Sequence, residues 1–144
     1  MGWVGLVTAT CFAELGLDVI AMDIEAAKIE ALKAGQVPIH EPGIEELLGR
    51  NRSRLRFTTE MLEALQSARL LFCCVDTPPT YSGDADLSRV QAVVSQLRSD
   101  GDHALVMKST VPAGTVLFIT STWSESSGSS ATTARTRERS ASPE

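Results

Sequence analysis

Met1-Gly2-Trp3-Val4-Gly5-Leu6-Val7-Thr8-Ala9 reads as the closing part of a Gly-x-Gly-x-x-Gly loop that runs straight into a helix. Gly2 and Gly5 keep the spacing of the second and third glycines. The apolar strand and first glycine that would feed such a loop are not among these residues, so truncation at this end is expected. The helix is predicted from about Trp3 to Leu15, with Val4, Val7, Cys11 and Leu15 as its apolar stripe and Gly16 as its stop. Asp18 to Asp23 (DVIAMD) has strand length, and its last residue follows Gly5 by 18 positions. A dinucleotide-binding unit keeps a ribose-holding acid at that spacing, and Asp23 is read as that acid or as the cap of the next helix.

Outward from this stretch the α/β alternation continues. Glu25 to Ala34 is predicted as an amphipathic helix with Ile29 and Leu32 inward and Lys28, Glu30 and Lys33 outward, ended by Gly35. Val37-Pro38-Ile39-His40-Glu41-Pro42-Gly43 holds two prolines within five residues and cannot be regular helix. His40 reads as a surface residue. A short helix follows from Ile44 to about Arg50, then a strand over Leu55 to Thr58, then a helix capped by Thr59 that ends near Ala68. Leu70 to Val75 (LLFCCV) is continuously apolar, the pattern of a strand buried on both faces. Asp86 is predicted to cap a helix from Leu87 to about Arg98, with Val90, Val93, Val94 and Leu97 inward. Ala104 to Met107 is the last predicted strand. The fold class is therefore α/β, a Rossmann-like doubly wound parallel sheet expected to lack its first strand, which in that topology is an inner one.

Composition bounds the rest. A chain of 144 residues with 43% hydrophobic residues can hold one domain with a real core and a tail. Its net charge of −5 gives nothing global to attract nucleic acid or an acidic membrane. No apolar run approaches the roughly 20 residues that cross a bilayer, and no signal peptide is visible, so a cytoplasmic location is expected. After Phe118 the composition shifts. Half of 121–144 is Ser or Thr, with Arg135, Arg137 and Arg139 as a basic patch. The expected division is a partial nucleotide-binding domain over 1–118 and a disordered tail over 119–144.

Cys73 and Cys74 are adjacent in a strand-like run and point to opposite faces, and no Cys-x-x-Cys spacing occurs. All three cysteines, Cys11 included, read as small buried apolar side chains, and no metal site is expected. Asp84 and Asp86 read as loop solvation plus a helix cap rather than a metal pair.

Two loops remain, Val75-Asp76-Thr77-Pro78-Pro79 and Lys108-Ser109-Thr110-Val111-Pro112-Ala113-Gly114-Thr115. Each follows an apolar strand, at the sheet edge where ligands bind in open α/β folds. Hydroxyls at Thr77 and Thr110 can reach a dinucleotide there. Pro-set turns with hydroxyl caps explain the same words structurally.

Taken together, GWVGLVTATCFAELGLDVIAMD, GQVPIHEPGIEELL, RLRFTTE, VDTPPTYSGDADLSRV and KSTVPAGT resemble the UDP-glucose/GDP-mannose dehydrogenase family, most closely its UDP-glucose branch. They keep the family's order from about Gly2 to Thr115. The resemblance implies an NAD-dependent oxidoreductase that oxidises the C6 alcohol of a nucleotide sugar twice, taking UDP-glucose to UDP-glucuronate. GDP-mannose or UDP-N-acetylmannosamine is the alternative substrate, and a non-catalytic NAD-binding module or a non-functional truncated product the alternative role. It further implies that Gly2, Trp3, Val4 and Gly5 line the pyrophosphate, that Asp23 takes the adenosine ribose with Lys28 nearby, and that Thr77 and Thr110 face the nicotinamide end. Thr110 is a candidate for ordering a water. Trp3 stands where the family usually has Tyr. The family's nucleophilic cysteine word, Gly-x-Cys-x-Pro-Lys-Asp, does not occur, nor does its dimerising region, so the chain alone is expected to bind NAD without turnover.

Overall fold

The computed structural model describes residues 2–37, 41–97 and 103–115. His40 and the tail after Thr115 lie outside them. The chain order is α1 (Trp3–Glu14), β1 (Val19–Met22), α2 (Ala26–Lys33), α3 (Ile44–Arg50), a 3-10 turn (Arg52–Arg54), β2 (Leu55–Thr58), α4 (Met61–Ser67), β3 (Leu70–Cys73), α5 (Ser88–Val94) and β4 (Ala104–Met107). Strands β1 and β2 pair in parallel with Val19 opposite Leu55, and β3 and β4 pair in parallel with Leu70 opposite Ala104. The sheet thus consists of two parallel pairs, and among the described residues no strand joins β1 to β3.

Side-chain alternation assigns the layers. Val19, Ala21, Leu55 and Phe57 share one face and pack into a core with Leu6, Ala9 and Ala13 of α1 and Ile29 and Leu32 of α2. Arg56 and Thr58 point to the other face, where both meet Glu63 of α4. So α1 and α2 cover one side of the β1–β2 pair and α4 the other, as a doubly wound sheet requires. A second cluster joins Val90 and Val94 of α5 to Leu105 and Met107 of β4. At its end, α1 is held to α3 through Glu14, which takes the Arg50 guanidinium at 3.1 Å and the Asn51 amide. Gly16 stops α1 in a left-handed conformation, φ 92°, that disfavours any side chain.

Several expectations need correction. The stripe Val4, Val7, Cys11, Leu15 is not the buried face of α1. Gly5, Leu6, Ala9, Thr10 and Ala13 are buried there, while Cys11 is exposed and Leu15 is 75% exposed. The helix is apolar nearly all round, and its small residues are the ones that allow close approach to β1. Strand β3 is shorter than predicted, and Leu70 is 54% exposed because its free edge borders a cleft. Helix α4 begins after Glu60 rather than Thr59. Thr58, not Thr59, accepts the Glu60 N–H at 3.1 Å.

Candidate functional site

Helix α1 begins at an N-terminus with no side-chain cap and no acidic residue in its first turn. Its first N–H groups and the positive end of its dipole are therefore open to an anion. Gly2 there has an extended backbone, φ −88°, and an added Cβ would meet nothing of the chain within 4 Å. Neither backbone strain nor internal packing asks for glycine at this position. Trp3 and Val4 are exposed beside it, and Gly5 is buried against the sheet side.

Asp23 stands at the carboxyl end of β1. It is 5% exposed, with one carboxylate oxygen accepting the Glu25 N–H at 2.9 Å and the other 3.2 Å from the Lys28 ammonium. Lys28 also reaches Glu25 at 3.1 Å. The turn into α2 thus fixes the rotamer of the Asp23 side chain. Of the two roles read from the sequence, the acid at the strand end is in place, whereas the N-cap position of α2 falls on Glu25 and Asp23 instead closes the turn that precedes it. Lys28, expected to point outward, is half-buried by this pairing.

The loops after β3 and β4 are stapled to each other. The Thr77 hydroxyl donates to the Thr110 carbonyl at 2.7 Å, and the Ser109 hydroxyl donates to the Val75 carbonyl at 2.7 Å. The Lys108 N–H extends the strand ladder to the Cys73 carbonyl at 2.9 Å. Ser109 was not singled out in the sequence, where only its place inside the KSTVP word marks it. Thr77 and Thr110 are brought together, Thr110 with an exposed side chain. The segment between them folds over itself: Pro79 bridges Ala85, and Asp86 accepts the Ser88 N–H at 2.9 Å, one residue ahead of the expected arrangement, since the N-cap of α5 is Leu87. Arg89 pairs with Asp76 and holds that carboxyl below its usual range. Asp84 accepts the Ser82 hydroxyl at 2.8 Å.

Burial pushes the Cys73 and Cys74 thiols up from their ordinary value, so neither is a thiolate near neutral pH. Cys11 is exposed on α1, contrary to the expectation of a buried thiol. Among the described residues no group of three or more metal-ligating side chains occurs, and no helix is long and apolar enough to cross a membrane.

The described geometry thus comprises an open helix N-terminus, a buried acid at the end of the strand that follows that helix, and two hydroxyl loops at the ends of two further parallel strands. Comparison with known proteins agrees. The UDP-glucose/GDP-mannose dehydrogenase family, NAD binding domain, matches residues 1–139. UDP-glucose 6-dehydrogenase TuaD of Bacillus subtilis is 42% identical over 118 residues, 79% of this chain and 26% of that protein. GDP-mannose 6-dehydrogenase of Azotobacter vinelandii is 41% identical over 123 residues, 81% of this chain and 28% of that protein. Among solved structures, a UDP-glucose dehydrogenase from Pyrobaculum islandicum superimposes with a TM-score of 0.80 at 39% identity, covering 88% of this chain and 31% of that one. A GDP-mannose dehydrogenase from Pseudomonas aeruginosa gives 0.81 at 35% identity, covering 89% of this chain and 31% of that one. The chain spans about a quarter of the length of the curated relatives it matches. The fold is of the Rossmann type and the cofactor is NAD: the chain belongs to the UDP-glucose/GDP-mannose dehydrogenase family, of which it carries the NAD binding domain.

Proposed function

We propose that this chain is the cofactor half of a UDP-glucose 6-dehydrogenase, binding NAD while the sugar chemistry needs residues that it does not contain. The observation that carries this reading is Asp23, buried, ionically held and set at the end of the strand that follows the uncapped helix α1. In this reading the N–H groups of Gly2 to Gly5 bind the pyrophosphate, with Gly2 leaving room for its oxygens. Asp23 accepts the two ribose hydroxyls and repels a 2′-phosphate, and Lys28 keeps its carboxylate turned into the site. Thr77 and Thr110 flank the nicotinamide end from the two stapled loops. NAD, when bound, supplies the hydride acceptor for oxidation at the sugar C6. Among the described residues no cysteine is set as a nucleophile: burial raises the pKa of Cys73 and Cys74, and Cys11 lies exposed on α1. A cytoplasmic setting fits a nucleotide-sugar substrate. UDP-glucose is preferred over GDP-mannose because the sequence words lie closest to that branch.

Titration calorimetry with NAD and NADP, followed by an absorbance assay for NADH with UDP-glucose and with GDP-mannose, tests this. Expected are NAD binding, NADP binding weaker by about tenfold or more (about 1.4 kcal/mol), and no NADH from either sugar. No heat with NAD would sink the cofactor reading; turnover with either sugar would sink the division of labour.

A further inference from the structure

The Lys28 ammonium is shared between two carboxylates, 3.2 Å from Oδ2 of Asp23 and 3.1 Å from Oε2 of Glu25. Asp23 is buried at the end of β1, whereas the Glu25 side chain is exposed. Glu25 is the N-cap of α2, yet its side chain makes no cap hydrogen bond. Its carboxylate is spent on Lys28 rather than on the free N–H groups of the helix. Lys28 in turn stands in the first turn of α2, at the positive end of the helix dipole, where a cation is disfavoured. Helix formation alone therefore does not ask for a lysine at this position.

A ligand at Asp23 meets all three charges. The two carboxylates outweigh the ammonium, so the turn after β1 carries one negative charge in excess. An ammonium within hydrogen-bonding distance of Asp23 lies inside one screening length, about 10 Å at 0.1 M salt, of whatever that carboxylate binds. Left unengaged, Lys28 would attract a 2′-phosphate and offset the repulsion from Asp23. Glu25 supplies the second carboxylate that keeps it engaged.

Resting on the reading of Asp23 as the ribose-binding acid, we propose that Glu25 is a specificity-determining residue for the cofactor. It neutralises Lys28 and thereby keeps the ribose turn closed to a dinucleotide that carries a 2′-phosphate. The two carboxylates have different tasks. Asp23 touches the ribose, and Glu25 acts through Lys28 as a positioning residue. Because the Glu25 side chain is open to solvent, its effect is on the scale of an exposed ion pair, about threefold to fivefold in an equilibrium ratio.

Two substitutions move that ratio in opposite directions. Glu25→Gln keeps the shape of the side chain, removes one negative charge and releases Lys28 toward a phosphate. Lys28→Gln removes the positive charge and keeps both carboxylates. A purely structural pair on α2 would change the affinity for NAD and NADP alike and leave their ratio unmoved.

The test is titration calorimetry of the full chain with NAD, and with NADP in competition, for the native sequence and both variants at about 0.1 M and about 1 M salt. Expected is an NADP-to-NAD affinity ratio raised about threefold to fivefold by Glu25→Gln and lowered about as much by Lys28→Gln. Both changes should shrink at the higher salt, where the screening length falls to about 3 Å. If circular dichroism shows that Glu25→Gln does not fold, Glu25→Ser, with a favoured N-cap residue, takes its place with the same expected ratio. Heat with NAD but a ratio unmoved by the Glu25 variant, or moved the same way by both variants, would overturn this proposal and leave the reading of Asp23 standing. No heat with NAD from the native chain would remove that reading and the proposal with it.

Discussion

The Thr77 hydroxyl donates to the main-chain carbonyl of Thr110 at 2.7 Å, which ties the loop after β3 to the loop after β4. The two threonines were read from the sequence as equivalent cofactor contacts, yet one contributes its side chain and the other its backbone. Thr77→Val removes the donor and is expected to cost about 0.5–1.5 kcal/mol, read as a shift in urea midpoint. Thr110→Val leaves the accepting carbonyl in place, so stability should change by less than about 0.5 kcal/mol. Calorimetry should show weaker NAD binding for both. Equal destabilisation by the two variants would mean that the Thr110 side chain has a structural role not visible in its exposed position.

At Asp23 the turn hydrogen bond and the ion pair can be separated. Asp23→Asn keeps an oxygen for the Glu25 N–H but loses the charge facing Lys28. Lys28 still has Glu25, so the expected loss of stability is modest, about 1–2 kcal/mol rather than the full cost of orphaning a buried charge. NAD affinity should fall, and the preference for NAD over NADP should shrink by about tenfold. An unchanged preference would remove Asp23 from the ribose site.

The sequence reading worked best where a local signal has one interpretation. The bounds of α3, β2 and β4 match those predicted, because Gly43 opens the first and polar residues flank the short apolar runs of the other two. The place of Asp23 at the end of β1 is legible from spacing alone. Its ion pair is not, because that depends on the Lys28 side chain folding back from α2. The six apolar residues from Leu70 implied burial on both faces, and that inference assumed a neighbour on each side of the strand. With pairing only to β4, Leu70 is left half open. Cys11 was misplaced with its whole helix face.

Acid should weaken the α4 side of the first strand pair. The Thr58 hydroxyl, with Arg56 beside it, lowers the Glu63 pKa from its ordinary 4.5. A carboxyl whose pKa is depressed on folding contributes stability above its unfolded value, and loses it as pH falls through the folded one. The contribution of Glu63 is therefore complete above pH 4.5 and declines below it. Thermal midpoints recorded downward from neutral pH should drop more steeply below that point in the native chain than in Glu63→Gln. Parallel curves would show that the hydrogen bond does not persist in solution.

Thiol reactivity should rank by exposure and burial. Cys11 is exposed, Cys74 half-buried and Cys73 buried, with burial raising the pKa of the latter two. Since the thiolate is the reacting species, maleimide labelling followed by peptide mass analysis should modify Cys11 first and Cys73 last. Rapid labelling of Cys73 in a folded sample would indicate that the β3–β4 pair opens.

Helix α1 offers the sharpest test of packing against pattern. Ala13 is fully buried and Ala9 is 7% exposed, while Val4 and Leu15, the larger side chains expected inside, are 48% and 75% exposed. If small residues set the approach of α1 to β1, enlarging them is worse than deleting the large ones. Ala13→Leu forces several extra carbons into a filled site and should destabilise by about 1–3 kcal/mol or more. Leu15→Ala should change stability by about 0.5 kcal/mol or less. Urea denaturation of the two variants decides the matter. The reverse order, with Leu15→Ala the more damaging, would restore the stripe inferred from the sequence and rotate α1 on the sheet, carrying the Gly2–Gly5 N-terminus away from Asp23.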